Sequence, residues 1–410
     1  MLTEEQFVQK VLSLGGEAYI VGGWVRDRCL GRIAHDKDFV ICGLSKETFE
    51  GAFSATPVGK QFPVYLLQID GLSREVALAR TERKTGYGYH GFEAVFTPDT
   101  SIEEDLFRRD TRMNSMAVRL SDGEIIDPFG GRDDIQKHLV SATSFHFRDD
   151  PVRALRAARQ AAQLGFTVAD DTISLMRDCA AELAFEPTER IFNEMQKALP
   201  SDRPSIFFVT LRDASLLSST FPELEALSGV EQPVQYHQGY DAFEHTMIVL
   251  DRTASLSHSE VTRFAALVHD LGKGLTPREQ WPHHYGHEIL GLSALHSMNQ
   301  RMTMPKPWFR FASFMIRHHM DIPRTKKVGK ILKFLLEMQK YHFLPAEVAA
   351  VITADHDRAP YWLYDADDLL SLIDKERQNI VFPDHLPPAQ RGNWLEMVLA
   401  SKLAEQIKRL

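Results

Sequence analysis

Apolar positions follow two different rhythms along this 410-residue chain. Up to about residue 140, short β-rich runs alternate with helical ones. Ala18–Gly22, Phe39–Cys42, Val64–Ile69 and Arg74–Arg80 read as strands, since β-branched and aromatic residues cluster there between turn formers. From Asp150 onward the apolar spacing is mostly three to four, as at Leu155, Ala158, Ala162 and Phe166, and helical segments with Pro-containing breaks run almost to the end. The pattern predicts an α+β head followed by an all-helical remainder. Leu227–Tyr240, with Gly229, Pro233 and Gly239 and little periodicity, is the best boundary inside the helical part. The expected division is a head at 1–140, a helical neck at 141–226, a second helical domain at 227–360 and a helical tail at 361–410. No internal repeat of about 20–50 residues and no low-complexity tract interrupts it.

Composition narrows the class. With 44% apolar residues over this length, more than one hydrophobic core is expected. No apolar run reaches the ~18 residues of a membrane span. The opening Met1-Leu-Thr-Glu-Glu-Gln is acidic where a secretory signal is basic, so a cytoplasmic location is expected, with no membrane partner. Cys29, Cys42 and Cys179 are odd in number and far apart, without a CxxC pair, which argues against a disulfide framework or a zinc–thiolate site. A net charge of −9 speaks mildly against nucleic acid. Its distribution does not: between Arg301 and Lys340 ten Lys or Arg face only Asp321 and Glu337, a local charge of +8. That segment reads either as a solvated helical face or as a patch for RNA backbone.

Candidate chemistry begins at Tyr19-Ile-Val-Gly-Gly-Trp-Val-Arg-Asp-Arg-Cys-Leu-Gly31, read as a strand, a glycine turn and a helix start. Gly22 and Gly23 let backbone N–H groups approach an anion at a helix N-terminus, and Arg26 adds a charged fork. Alone, such a turn is weak evidence of a phosphate site. Asp36-Lys-Asp38 then runs directly into the strand Phe39–Cys42, and strand alternation puts both carboxylates on one face. Two such carboxylates repel unless a cation sits between them, and oxygen ligands with open positions suit Mg²⁺ bridged to substrate phosphates. Glu75, on a neighbouring strand, offers a third carboxylate.

These residues carry a resemblance. Val21-Gly-Gly-Trp-Val-Arg-Asp27 with Asp36-Lys-Asp38 resembles the signature of the class II tRNA nucleotidyltransferase and poly(A) polymerase family, within the polymerase-β-like nucleotidyltransferases. Further blocks match in order: Arg80–Tyr89, Asp105-Leu-Phe-Arg-Arg-Asp110 with Asn114, Glu124-Ile-Ile-Asp-Pro-Phe-Gly130, and Asp149–Arg159. The resemblance covers the first 200 residues closely. It implies nucleotidyl transfer with two carboxylate-held ions, Mg²⁺ at Asp36 and Asp38 with Glu75 as a further catalytic carboxylate, activating a 3′-hydroxyl and steadying the leaving pyrophosphate. Gly22, Gly23, Arg26 and Arg109 would take part in nucleotide binding.

Asp150, Arg153, Arg156 and Arg159 recur every third residue and share one slowly turning helix face. The resemblance implies a protein template, in which Asp150 and Arg153 read the base edge of CTP or ATP and Arg156 and Arg159 hold the nucleotide. An Arg fork offers donors and a carboxylate offers acceptors, which together suit cytosine or adenine. The chain departs from the family at Asp149-Asp150, where Glu-Asp is usual. It departs again at Arg109-Asp110-Thr-Arg-Met-Asn114, where Thr111 and Arg112 replace an aromatic and a small polar residue.

In the C-terminal half, His245, His269-Asp270, His287, His318-His319 and Asp355 are spread over predicted helices. An imidazole beside a carboxylate at a helix end can serve one divalent ion, with His residues of neighbouring helices completing the shell. Together they resemble the HD superfamily of metal-dependent phosphohydrolases, and Trp281-Pro-His-His-Tyr-Gly-His287 resembles the corresponding stretch of bacterial CCA enzymes with an HD domain. The implied site is His245, His269, Asp270, His287, His319 and Asp355 holding a transition metal such as Ni²⁺, Co²⁺ or Mn²⁺, with phosphatase and 2′,3′-cyclic phosphodiesterase activity.

The expected function is CCA addition to the tRNA 3′ end from CTP and ATP. One alternative is a relative that adds only C, only A or a poly(A) tail. Another is a phosphohydrolase that keeps its head for RNA binding, against which the intact set Asp36, Asp38, Arg109, Asp150 and Arg153 speaks. Monomer and homodimer stay open.

Overall fold

The computed structural model describes residues 2–34, 36–58, 64–84, 86, 92–237 and 239–408. Within the Arg80–Tyr89 block, residues 85 and 87–89 lie outside that set. Two compact units result, Met1–Ala198 with Ile206–Thr220, and Leu199–Ser205 with Phe221–Leu410.

The first unit opens with α1 (Glu4–Ser13), started by a Thr3/Gln6 capping box. Its Phe7, Val8 and Val11 recur at helical spacing and are buried, each contributing about 1.5–3 kcal/mol if fully removed from water. There follow β1 (Glu17–Val21), α2 (Gly23–Cys29), β2 (Asp38–Cys42), α3 (Lys46–Ala52), β3 (Thr56–Val58), β4 (Val64–Ile69) and β5 (Leu72–Leu78). A hairpin of β6 (Thr81–Lys84) and β7 (Phe92–Val95) stands apart, and α4 (Ile102–Phe107), β8 (Ala117–Arg119) and β9 (Ile125–Ile126) follow. Seven strands form one sheet in the order β3-β4-β5-β2-β1-β8-β9. Within this sheet, among the described residues, only the β2–β5 strand pair is parallel, and its register sets Asp38 opposite Glu75.

Both faces of the sheet are covered, so its central strands carry apolar residues at nearly every position. Phe39 meets Phe7 of α1 edge-on at 5.5 Å, and Phe49 of α3 meets Tyr65 at 4.8 Å. On the other face Tyr19, Val21 and Val40 pack against Ile102 and Leu106 of α4. The head ends with α5 (Gly131–Lys137), and the neck continues with α6 (Val152–Leu164), α7 (Asp170–Asp178), α8 (Ala180–Leu183) and α9 (Thr188–Ala198). Ala154, Ala157, Ala158 and Ala161 of α6 are wholly buried, small enough to let neighbouring elements approach closely.

The second unit is helical. The helix Glu260–Val268 has every residue from Thr262 to Val268 buried, as expected of a helix enclosed on all sides. It packs among Ala242–Leu256, Lys306–His318 and Pro345–His356. Its C-terminal end therefore delivers His269 and Asp270 into the interior. Gly272, in the turn that follows, touches the helix His287–Met302 so closely that a Cβ would lie 1.8 Å from the His287 carbonyl oxygen. The basic segment crosses three helices of this unit. Part of its charge is met locally, Arg301 by Glu223, Arg317 by Glu337 and Lys330 by Asp321. Among the described residues no helix is long and apolar enough to cross a membrane.

Candidate active sites

β1 ends at Val21, Gly22 turns with φ +74°, and α2 begins at Gly23. The left-handed turn is open to glycine at no steric cost. It lies against Arg109, whose guanidinium nitrogen would sit 3.6 Å from a Cβ on Gly22. Asp38 is the first residue of β2, and Asp36 precedes the strand in irregular backbone. The expected strand alternation of the two aspartates is thus corrected: strand geometry pairs Asp38 with Glu75 instead. Desolvation by its surroundings pushes the Asp38 carboxyl up, and Glu75 and Asp36 add to the rise while Arg109 opposes it. Asp38 is exposed by surface area, so the crowding by neighbouring carboxylates is the part of this shift that bears on metal binding. The head carboxylates do not close into a set of three ligands within 4.8 Å among the described residues. Two carboxylates with open positions still fit Mg²⁺, which binds proteins through one or two carboxylates and takes its remaining ligands from water and phosphates.

Asp38 and Glu75 line a cavity of about 770 Å³ together with Gly22, Gly23, Arg109, Asn114, Asp150, Arg153 and Arg156. Arg26, expected there, is absent from its wall: it donates to Asp27 at 2.9 Å and to Asn114 at 3.0 Å. Arg159 is likewise absent from the wall, although Glu194, to which it donates at 2.6 Å, lines it. Asp150 does not ride on the helix with the arginines. Pro151 follows it, α6 starts at Val152, and the Asp150 carboxylate accepts from the Val152 N–H at 3.1 Å.

The cavity's charges are held by a network that local spacing does not show. Buried Asp105 accepts from Arg108 at 2.6 Å and from Arg109 at 2.9 Å. Burial alone would raise its carboxyl, but the two guanidinium groups hold it well below the usual carboxylate range. Asp110 is held down in the same way, chiefly by Arg156 at 2.7 Å. Arg153 donates to the His146 carbonyl at 2.6 Å and reaches Glu82 at 3.4 Å, and Arg190 of α9 reaches Asp150 at 3.3 Å. Glu82, Arg108, Asp110 and Arg190 all line the cavity, and sequence reasoning had not singled them out as site residues. Thr111 and Arg112 do not line it. Thr111 is buried and donates to Gln160 at 2.7 Å, while Arg112 lies 3.9 Å from Asp134.

The second unit brings together all six of its expected ligands. His245 Nε2 lies 3.1 Å from Asp355 and 3.6 Å from Asp270, and His269 Nε2 lies 3.1 Å from Asp270. His287 and His319 each place Nε2 3.4 Å from Asp270 Oδ1. Nδ1 of His269, His287 and His319 is engaged by a backbone carbonyl, at 2.7 Å from Ala266, 2.9 Å from His284 and 3.0 Å from Ile316. If each Nδ1 carries the proton, each Nε2 presents a lone pair inward, the arrangement of metal-ligating imidazoles. The Nε2 atoms of His287 and His319 then face each other at 3.2 Å with no proton to share. His269 Nε2 and Asp270 Oδ1 are buried without a hydrogen-bond partner. Orphaned acceptors of this kind fit a divalent cation. His245, His269 and Asp270 form one compact ligand set, and Asp270, His287 and His319 a second, with Asp270 common to both.

Burial lowers the pKa of His245 and of His287, favouring the neutral imidazole that binds metal. Burial also acts downward on His269, but Asp270 and Asp355 outweigh it and raise that imidazole to about 9 when no cation is present. Lys273, three residues beyond Asp270, places its ammonium 2.6 Å from Asp270 and 2.6 Å from Gln232. It lines a separate cavity within the HD unit, beside Asp270, His287 and His319, and had not been expected. His318 turns away, 3.3 Å from Glu337 and packed on Phe314 and Phe334.

Residues 18–141 match the poly A polymerase head domain, 165–227 the probable RNA and SrmB-binding site of polymerase A, and 242–373 the HD domain. Fold and sites together define a nucleotidyltransferase head joined to an HD-type helical domain. The multifunctional CCA protein of Nitrosococcus oceani is 44% identical over 323 residues, 78% of this chain and 79% of that protein. The chain belongs to the multifunctional CCA protein family. Among solved structures, the Bacillus stearothermophilus CCA-adding enzyme in complex with CTP covers 97% of this chain and 90% of its own at 24% identity, with a TM-score of 0.62. The Thermotoga maritima CCA-adding enzyme complexed with tRNA covers 97% and 89% at 19% identity, with a TM-score of 0.59. These two likenesses are of fold.

Proposed function

We propose that this chain adds C and A nucleotides to tRNA 3′ ends from CTP and ATP in its head cavity, and that its HD unit is a divalent-metal phosphohydrolase. The observation that carries the first part is a single cavity uniting the Asp38/Glu75 carboxylate pair with Arg109, Asp150 and Arg153. Carboxylates for an ion and donors for phosphate and base thus converge where a nucleoside triphosphate fits. The names of the relatives, CCA-adding enzymes bound to CTP and to tRNA among them, support the same reading.

Asp38, with Glu75 and Asp36 beside it, would hold Mg²⁺, which would supply positive charge for the leaving pyrophosphate and for loss of the hydroxyl proton. In the transfer, the tRNA 3′ oxygen bonds to the α-phosphorus and the bond to pyrophosphate breaks. Arg109, against the Gly22 turn, neutralises triphosphate charge. Asp150 and Arg153 read the base edge. Their partners in this structure, Arg190 for Asp150 and Glu82 with the His146 carbonyl for Arg153, keep both groups paired until a base replaces them. Lys326 and Lys327, exposed ahead of the helix Val328–Tyr341, contribute to holding RNA backbone.

In the HD unit, His245, His269, Asp270, His287, His319 and Asp355 would hold one or two divalent transition-metal ions of the Ni²⁺, Co²⁺ or Mn²⁺ kind, Asp270 belonging to both ligand sets. Bound metal supplies Lewis acidity and an activated water for phosphoester hydrolysis. The site acts in the cytoplasm on phosphate monoesters or 2′,3′-cyclic phosphodiesters.

The deciding experiment incubates the purified chain with tRNA transcripts lacking A, CA or CCA, supplying labelled CTP and ATP each alone and then together. Full repair of all three supports the reading. Incorporation of C alone, A alone or a run of A would replace it with the corresponding narrower enzyme, and no incorporation would leave the head as an RNA-binding module.

A further inference from the structure

The HD cavity holds about 530 Å³, far more than a metal centre and one phosphate group require and within the range of sites that enclose whole small molecules. Its metal-binding end is buried, and the side chains at its mouth are of a different kind. Residues Pro282, His283, His284, Tyr285 and Gly286 of the turn that begins at Trp281 form one wall. Buried His284 pins that turn from inside, with Nδ1 2.7 Å from Thr276 Oγ1 and Nε2 2.7 Å from the Glu231 carbonyl, while Trp281 donates to the Thr276 carbonyl at 3.2 Å. His284 has φ +52° and Gly286 φ +76°, so Tyr285 stands at an apex between two left-handed residues. Tyr285 is 73% exposed, and its ring stacks on His283 with centroids 5.8 Å apart and planes 26° apart. Arg324 lines the same cavity with no carboxylate partner among the described residues.

An exposed aromatic ring on an anchored turn beside a phosphoester site has little to gain from folding. It is well placed to bind a flat group, because the anchoring removes the entropy of ordering it at the moment of binding. From this geometry we infer that Tyr285, backed by His283, is a base-stacking platform that selects phosphorylated nucleosides, with Arg324 supplying positive charge to the ligand at the mouth. The inference rests on the hydrolase reading above and goes beyond it in assigning the residues that favour a phosphoester with a base over one without. Stacking is tolerant of base identity, since every base has a π-face.

The test compares adenosine 2′,3′-cyclic phosphate with glycerol 1,2-cyclic phosphate, which has the same five-membered phosphodiester and no ring to stack. The full-length, metal-loaded protein is expected to prefer the nucleotide in kcat/KM. Tyr285→Ala should reduce that preference about tenfold through KM, and Tyr285→Trp should restore it. An unchanged preference in Tyr285→Ala would overturn the platform while leaving the hydrolase reading intact. Hydrolysis of neither ester by the unmodified protein would remove the hydrolase reading, and a binding measurement then decides the platform separately. Calorimetric titration of adenosine 3′-monophosphate into full-length protein and into Tyr285→Ala should show about tenfold weaker binding in the variant, the head contributing equally to both. Equal affinities would overturn the platform.

Discussion

At the scale of single residues, the proposed function separates groups in the head that bear on the reaction step from groups that choose the nucleotide. Asp38 faces Glu75 across a parallel strand pair and feels its charge, whereas Arg153 lies on α6 with its guanidinium on a carbonyl and a carboxylate that a base can replace. The two substitutions should therefore fail differently. Asp38→Ala removes a metal ligand, and loss of a ligand should exceed the roughly 10–100-fold cost of losing an outer-shell partner, so addition of every nucleotide should fall at least about a hundredfold with unfolding unchanged. Arg153→Ala removes hydrogen bonds to the base, so misincorporation should rise more than turnover at saturating nucleotide falls. Primer-extension assays with each nucleotide alone measure both. Near-normal addition by Asp38→Ala would remove the site assignment, and uniform loss without misincorporation in Arg153→Ala would give that residue a phosphate-binding or structural role instead.

At the scale of elements, what was legible depended on whether the cause was local. Strand positions came through because β-branched clusters and turn residues mark them: Val64–Ile69 is a strand over the residues expected, β2 starts one residue earlier, β1 lies one residue earlier at both ends and β5 two residues earlier at both ends. Asp36 was misplaced because the strand reaches back only to Asp38, one residue before its apolar run, and leaves Asp36 in irregular backbone. Asp150 was misplaced although Pro151 signals a helix start at that point. Lys273 was within reach of the same local reasoning, one helical turn from Asp270 in Leu-Gly-Lys-Gly. The pairing of Arg190 with Asp150 and of Arg153 with Glu82 was not, since each joins residues at least 40 apart and only tertiary packing determines it. Gly272 shows what packing adds to a residue type. Gly272→Ala would force its Cβ into the His287 carbonyl, whereas Gly329→Ala, on the helix Val328–Tyr341, meets nothing within 4 Å. Overpacking of this kind typically costs about 1–3 kcal/mol. The exposed helical glycine should instead gain up to about 1 kcal/mol as alanine. Thermal unfolding should accordingly move down for Gly272→Ala, with weakened metal binding because His287 shifts, and should hold or rise for Gly329→Ala. Equal behaviour of the two variants would show that the close approach of the Gly272 turn to its helix does not govern the HD site.

At the scale of the molecule, two chemistries sit in two compact units and share no residue. The head offers oxygen ligands alone, and the HD unit offers four imidazoles with two aspartates. Hard carboxylates suit Mg²⁺, and imidazoles suit later transition metals, so the metal requirements should divide along the same line. His269→Ala should abolish hydrolysis of 2′,3′-cyclic nucleotides and tRNA nucleotide addition should survive, while Asp38→Ala should show the converse. His269→Ala also leaves Asp270 and Asp355 buried with one fewer positive partner, so its effect on folding must be measured beside its effect on activity. Metal content provides that check: the folded variant should bind less Ni²⁺ or Co²⁺ than the parent and should keep Mg²⁺-dependent addition. Micromolar Ni²⁺ or Co²⁺ should stimulate the hydrolase at concentrations that do little for the transferase. If the parent protein binds no transition metal and hydrolyses no phosphoester with any divalent ion, the imidazole cluster is a structural feature of the HD fold. The orphaned Nε2 of His269 and Oδ1 of Asp270 would then need another partner, the buried ammonium of Lys273 being the nearest cation to that carboxylate.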